Sequence, residues 1–151
     1  MSEGKESWGL HAFASKKYWD ISLHERIDKD EWELEFVHGN NTLAFLISKP
    51  DVPHSMLAFF KENYGKTSYR PAKKDEYPGI AEGTTLFSAV ADFTVETPDS
   101  TEVYLSKCGE LPDRFHFGLI AGATRLHVDM HDPQTSDLIE ALEQLITEID
   151  P

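Results

Sequence analysis

Apolar and polar residues alternate along several stretches of the chain, and this period of two is typical of strands with one buried and one exposed face. The segment "WELEFVH" (32–38) is the clearest case, with Trp, Leu and Phe at alternate positions and glutamates between them. The turn residues "GNN" (39–41) and the more continuously apolar "TLAFLIS" (42–48) follow. Because Gly and Asn tolerate the positive φ of a tight turn, these segments predict a β-hairpin.

The second half of the chain predicts two more hairpins. The long segment 84–97 is expected to pair with 101–108, and 114–120 is expected to pair with 124–131 around the turn "AGA". Turn residues rich in Pro, Asp and Gly separate these strands. The pattern leaves two alternatives for the inward side chains of the second strand: Val103 with Leu105, or Tyr104.

A helical period appears in "KPDVPHSMLAFFKENYG" (49–65), which predicts a helix over about 51–64. Two prolines stand near its start, where a missing N–H does no harm. The N-cap is either Ser55 or, if the helix begins earlier, Asp51. Gly65 stands where a left-handed residue would end the helix.

The segment "QTSDLIEALEQLITEID" (134–150) predicts the second main helix, over about 135–149. Thr135 or Ser136 is the expected N-cap. Apolar residues at i, i+4, i+7 and i+8 form a stripe that would face the core. The members of this stripe are Leu138, Leu142, Leu145 and Ile146.

The order of these elements predicts an α+β domain, in which an antiparallel β-sheet is covered by the two main helices. A length of 151 residues suits one domain, assigned here to residues 8–151. Residues 1–7 are small and polar and are expected to form a disordered lead. Residues 8–15 fit either a short helix or an extended arm, and 18–27 predicts a strand. The segment 66–83 predicts a long loop with room for one short strand, and its length suggests binding or mobility.

The charge balance narrows the classes of partner. The chain has 27 acidic and 14 basic residues, a formal net charge of −13, so nucleic acid and anionic membranes are expected to repel it, whereas a basic protein surface would attract it. The N-terminus lacks an apolar signal region, and no apolar stretch is long enough to span a membrane. A cytoplasmic location is therefore expected.

The single cysteine, Cys108, excludes an internal disulfide and a Cys-rich zinc site.

The segment "RLHVDMHDP" (125–133) carries the best candidate for chemistry. His127, Asp129 and His131 lie two residues apart and would share one face of a strand. Two imidazoles and a carboxylate are ligands that zinc, manganese or iron accept, so a metal-binding protein or metal-dependent enzyme is one hypothesis. The competing interpretation is an ordinary exposed strand face, with Arg125 and Asp129 paired along it.

Other signatures of catalysis are absent from the sequence. There is no G-x-S-x-G, P-loop, G-x-G-x-x-G, H-E-x-x-H or C-x-x-C motif, so neither an enzyme nor a cofactor is the leading expectation. Aromatic residues in polar surroundings are candidate anchors for a protein partner instead. The candidates are Trp8, Tyr69 and Tyr77.

The element order around "HSMLAFFKENYG", "PGIAEG" and "SDLIEALEQLITEI" resembles the Mog1/PsbP-like fold over about residues 18–150. It looks in particular like the small DcrB-type proteins that act as chaperones beside type VI secretion effectors in bacteria. The resemblance is one of pattern and assigns no functional residue. It implies a non-enzymatic protein that presents a concave sheet face to hydrophobic segments of a client.

Three functions follow from these observations. The first is a binding module: a chaperone or adaptor for an effector, or an immunity protein that blocks a toxin, acting by surface complementarity and with a homodimer left open. The second is the metal protein built on His127, Asp129 and His131. The third, ranked last, is mimicry of nucleic acid by the acidic surface.

Overall fold

The computed structural model describes residues 8–26, 31–47 and 51–149. Within these ranges the chain forms two helices and ten strands in three antiparallel sheets, which confirms the α+β prediction. In chain order the elements are β1 (Trp8–Ser15), β2 (Asp20–Arg26), β3 (Glu31–His38), β4 (Asn41–Ile47), α1 (Asp51–Asn63), β5 (Tyr69–Pro71), β6 (Thr85–Phe87), β7 (Ala91–Glu96), β8 (Glu102–Lys107), β9 (Phe115–Ala121), β10 (Thr124–Met130) and α2 (Gln134–Ile149).

The first sheet is a meander with the order β1-β2-β3-β4. The predicted hairpin of β3 and β4 is confirmed, with Gly39 at positive φ in its turn. Leu34 of β3 is paired with Leu23 of β2, and both side chains are fully buried, as the alternating pattern requires. The ambiguous segment before β2 is a strand, β1, because β2 offers it a free edge for pairing.

The second sheet is another meander, with the order β10-β9-β8-β7. Its pairing settles the alternative that the sequence left open, because Val103 and Leu105 are buried and Tyr104 faces outward. The predicted hairpin of β9 and β10 is confirmed. The predicted long strand over 84–97 is wrong, since it is divided into β6 and β7. Ser88 pairs with Ser68, whereas Val90 pairs with Lys107, so the chain changes partners between them.

Helix α1 begins at Asp51, so the suggestion that Ser55 caps it is wrong. Asp51 lies in the first turn, where the helix dipole stabilises a carboxylate. The helix ends at Asn63, and Gly65 then adopts a φ of 92°, the left-handed conformation expected after a helix. The buried Met56 and Phe60 show which face meets the core.

Helix α2 begins at Gln134, so the prediction that Thr135 or Ser136 is its N-cap is wrong. Asp132 performs this role, because its carboxylate accepts the backbone N–H of Ser136 at 3.1 Å and the Ser136 hydroxyl at 2.7 Å. Thr135 is buried and donates instead to the carbonyl of Asp113 at 2.9 Å. The predicted stripe is confirmed: Leu138, Leu142 and Leu145 are fully buried, and Ile146 is half-buried.

The two four-stranded sheets and both helices contribute to one hydrophobic core. The ring of Phe117 in the second sheet lies 5.6 Å from Trp19 and 5.3 Å from Phe36, two residues associated with the first sheet. On α1, the ring of Phe60 lies 4.8 Å from Phe115. Helix α2 packs on β1 and β2, and α1 packs against α2 and β7. The helices therefore do not cover a single sheet, and the outward side chains of the second sheet are largely exposed.

No helix in the described ranges is long and apolar enough to cross a membrane. The proposed lead, residues 1–7, lies outside the described residues.

Candidate functional site

The third sheet is a two-stranded ribbon formed by β5 and β6, and it carries the segment predicted to be a long loop. The backbone N–H of Ala72 donates to Thr84 at 2.7 Å, and that of Gly83 donates to Ala72 at 2.9 Å, so the hairpin continues past its strands. Arg70 donates two hydrogen bonds to the carboxylate of Glu76. This contact, together with the N–H of Lys73, lowers the pKa of Glu76 to about 2. These hydrogen bonds therefore order the connection between β5 and β6.

The ribbon is attached to the loop that follows β8. The N–H of Ser68 donates to the carbonyl of Gly109 at 3.0 Å, and the N–H of Gly65 donates to Pro112 at 2.8 Å. A Cβ at position 109 would lie 1.9 Å from the carbonyl oxygen of Ser88 and 2.5 Å from that of Ser68. The absence of a side chain at Gly109 is therefore what lets the ribbon backbone approach so closely.

The same loop is fixed from inside by a buried lysine. Lys107 is fully buried, and its Nζ donates to the carbonyls of Cys108 and Leu111, the second at 2.6 Å. Its ammonium also lies 5.4 Å from the centre of the Phe115 ring, a cation–π contact. Burial lowers the pKa of Lys107. The ammonium is thus enclosed by backbone oxygens and presents no charge to the surface.

Large apolar side chains are exposed mainly at this end of the molecule. In the described part of the chain, all six exposed ones lie in residues 64–87 or in the loop 109–113 to which the ribbon is attached. The predicted anchors Tyr69 and Tyr77 are 64% and 51% exposed, while the side chain of the third, Trp8, lies outside the described residues. The six residues are Tyr64, Tyr69, Tyr77, Ile80, Phe87 and Leu111.

Phe87 also forms one wall of a cleft between the ribbon and the outer face of the second sheet. The cleft has a volume of about 350 Å³. Phe87 is 52% exposed and lies directly opposite Tyr69 in the ribbon, with 6.0 Å between the ring centres. The residues that line the cleft are Phe87, Ser88, Ala89, Ser106, Cys108, Gly109, Glu110, Arg114 and His116. We refer to this feature as the ribbon cleft.

Arg125, His127 and Asp129 form the outward polar face of β10, which borders the ribbon cleft at His116, but the ion pair of Asp129 differs from the predicted one. Asp129 accepts two hydrogen bonds from Arg114, at 3.1 and 2.8 Å, and Arg114 also donates to Glu110 at 3.1 Å. The suggested pair of Arg125 with Asp129 is wrong. Four residues along a strand span about 13 Å, whereas Arg114 immediately precedes β9, the strand that pairs with β10, and so lies close to Asp129.

The histidines of this region do not assemble into a metal centre. The rings of His116 and His127 are stacked with 5.4 Å between their centres, and Nδ1 of His116 has no hydrogen-bond partner and lies 3.8 Å from Asp129. Burial lowers the pKa of His116, and the nearby Asp129 only partly opposes this shift. Among the described residues, no group of three or more His, Cys, Asp or Glu is arranged to hold a metal ion. The geometry therefore gives no support to His127, Asp129 and His131 as ligands.

Cys108 lines the ribbon cleft with a partly buried thiol. Burial raises the pKa of this thiol, so it stays protonated and weakly nucleophilic at neutral pH. This position suits a small packing residue in the cleft wall.

No protein-family model, curated protein or solved structure matches this chain. The resemblance to the Mog1/PsbP-like fold accordingly stays a prediction.

Proposed function

We propose that this protein is a non-enzymatic protein-binding module that contacts its partner through the ribbon and the loop beneath it. One observation carries the proposal: the exposed large apolar side chains of the described residues are gathered in the segments 64–87 and 109–113. Clustered apolar exposure on a soluble fold is characteristic of surfaces that another molecule covers. We call Tyr69, Tyr77, Ile80, Phe87 and Leu111 the ribbon surface.

The rigidity of the ribbon favours binding. Two tyrosines and a phenylalanine supply large contact areas at a low cost in side-chain entropy, and aromatic residues of this kind dominate the energy of many interfaces. The bond between Arg70 and Glu76 and the contacts at Gly109 order the backbone that carries them. A surface that is ordered before binding loses less entropy when the partner arrives.

Two biological roles fit a module of this kind. A chaperone or adaptor would hold a secreted effector, as the DcrB-like pattern implies, and an immunity protein would cover a toxin. In both cases a net charge of −13 would draw a basic partner to the surface. The identity of the bound protein distinguishes the roles, because a toxin loses its activity in the complex and a chaperoned effector is released intact.

The test is to purify the protein from its own organism in three forms. The first is the wild type, the second carries Tyr69→Ser and Phe87→Ser, and the third carries Tyr104→Ser. Tyr104 lies on the outer face of the second sheet, so its variant tests the sheet-face binding that the resemblance implies. We expect a stoichiometric partner with the wild type and with Tyr104→Ser, and an affinity at least tenfold weaker for the ribbon variant.

The proposal would be overturned if the ribbon variant bound the partner as tightly as the wild type does. Circular dichroism checks that the variant is folded. Loss of binding in Tyr104→Ser alone would transfer the function to the sheet face. Light scattering of the purified wild type, on its own and with the partner, gives the stoichiometry and tests whether the homodimer that the sequence leaves open is formed.

A further inference from the structure

The ribbon cleft has an imbalance of charge. Arg114 is the one cation at the surface among the described residues that line it, and Asp129 and Glu110 already share that guanidinium. A third carboxylate, Asp92 of β7, is paired with Ser106 of β8, which lines the cleft, so Asp92 borders the cleft; it forms no ion pair with any described residue. Among the described residues in and beside the cleft, three carboxylates therefore stand against the one guanidinium at the surface, which only Asp129 and Glu110 contact. The ammonium of Lys107 is enclosed beneath the loop.

The cleft combines this negative charge with an exposed aromatic wall. Phe87, which is 52% exposed, and Glu110, whose side chain is 49% exposed, both line the cleft. An aromatic face beside carboxylates attracts a cation through both the ring quadrupole and the charge. The aliphatic stem of an arginine or lysine can also cover apolar surface while its head group remains at a polar rim.

We propose that the ribbon cleft receives an arginine or lysine side chain from an extended segment of the protein partner. This inference rests on the proposed function and names the chemistry that the site recognises. The cationic head group lies between Glu110 and Asp92, its stem lies along Phe87, and apolar neighbours in the same segment contact Tyr69 and Leu111. A second copy of this chain fits the cleft poorly, since each copy carries a net charge of −13.

The test uses short peptides and ¹⁵N-labelled full-length protein. The probes are the capped tripeptide amides Leu-Arg-Leu, Leu-citrulline-Leu and Leu-Glu-Leu. Citrulline keeps the shape of arginine without its charge. We expect the arginine peptide to shift the amide resonances of residues 87–89 and 106–110, the citrulline peptide to bind about tenfold more weakly, and the glutamate peptide to cause no shift.

A pair of matched double variants separates the cleft from the overall negative field. Asp92→Asn with Glu110→Gln removes two charges at the cleft, and Glu96→Gln with Glu102→Gln removes two at the other end of the same sheet face. We expect the first pair to weaken the arginine peptide about fivefold and the second pair to leave it nearly unchanged, because surface charge pairs act over short distances.

Equal weakening by both double variants, equal binding of the citrulline peptide, or shifts that map outside the cleft would each overturn the inference. The proposed function would survive these outcomes if the ribbon variant still failed to bind the natural partner. Conversely, the natural partner could bind the ribbon variant as tightly as the wild type while the arginine peptide still bound the cleft. That result would overturn the proposed function alone.

Discussion

At the scale of the residue, Gly109 decides whether the ribbon can be attached. Two backbone oxygens, those of Ser88 and Ser68, occupy the space that a side chain at 109 would need. Neither oxygen belongs to a flexible side chain that could rotate away, so only glycine permits this approach.

Gly109→Ala is therefore expected to lower the free energy of unfolding by about 1–3 kcal/mol and to detach the ribbon. Urea unfolding measures the first effect, and amide hydrogen exchange across 68–87 measures the second. The control is Gly118→Ala, where the new Cβ would lie 3.2 Å from a ring atom of Tyr104, which can move. Wild-type stability and exchange in Gly109→Ala would contradict the role assigned to this contact.

Two histidines should make the protein less stable in acid. Burial lowers the pKa of both His116 and His38 below the usual 6.5. Below pH 6.5 the unfolded chain therefore binds protons that the folded chain does not, and stability falls until the pH passes the lowered values. We expect a lower urea midpoint at about pH 5 than at about pH 7.5, and a smaller difference in His116→Gln and in His38→Gln. An unchanged difference in both variants would show that other groups cause the effect.

At the scale of the element, the carboxylate of Glu76 helps to order the connection between β5 and β6. Glu76 accepts hydrogen bonds from Arg70 and from the N–H of Lys73, and these bonds join the loop to β5. The lowered pKa of Glu76 means that this tie is complete above about pH 4.5 and is lost as the pH falls through about 2.

Glu76→Gln should consequently speed amide hydrogen exchange at Lys73 and across the loop at neutral pH, and it should weaken partner binding. Its effect on global stability should be small, because the side chain is at the surface. Glu82→Gln serves as the control, because it removes a charge from the same loop at a side chain that forms no hydrogen bond with any described residue. Identical exchange in the two variants would mean that the backbone bonds at Ala72 alone order the loop.

At the scale of the whole molecule, the two four-stranded sheets depend on each other. Phe117 of the second sheet contacts Trp19 and Phe36, so neither sheet has a complete core without the other. A common core of this kind favours a single cooperative unfolding transition.

We expect urea unfolding monitored by far-UV circular dichroism to coincide with that monitored by fluorescence of Trp19, in a background of Trp8→Phe and Trp32→Phe. Phe117→Leu should shift both curves together by roughly 1 kcal/mol, since it removes contacts shared by the sheets. Separate midpoints for the two probes would indicate that the sheets unfold independently.

Local periodicity was enough to predict most of the elements. The strand at 32–38 and the helix after 134 were predictable because every second or every third to fourth residue must face the core, and that rule operates within a short segment. It also gave the α+β class, and the polar context of Tyr69 and Tyr77 was enough to place them at the surface. The same rule did not identify the cap of α2, because Asp132 accepts the N–H of Ser136 from a position before the predicted helix.

The sequence alone therefore determined the buried face of the most regular elements, such as β3 and α2, and the overall excess of negative charge. Tertiary structure decided the rest, because it depends on contacts between segments that are distant along the chain. It brought Arg114 rather than Arg125 to Asp129, divided 84–97 where the chain changes partners, and set the ribbon on Gly109. Phe87, which has the same alternating pattern as a core residue, was exposed by that division and became the wall of the cleft.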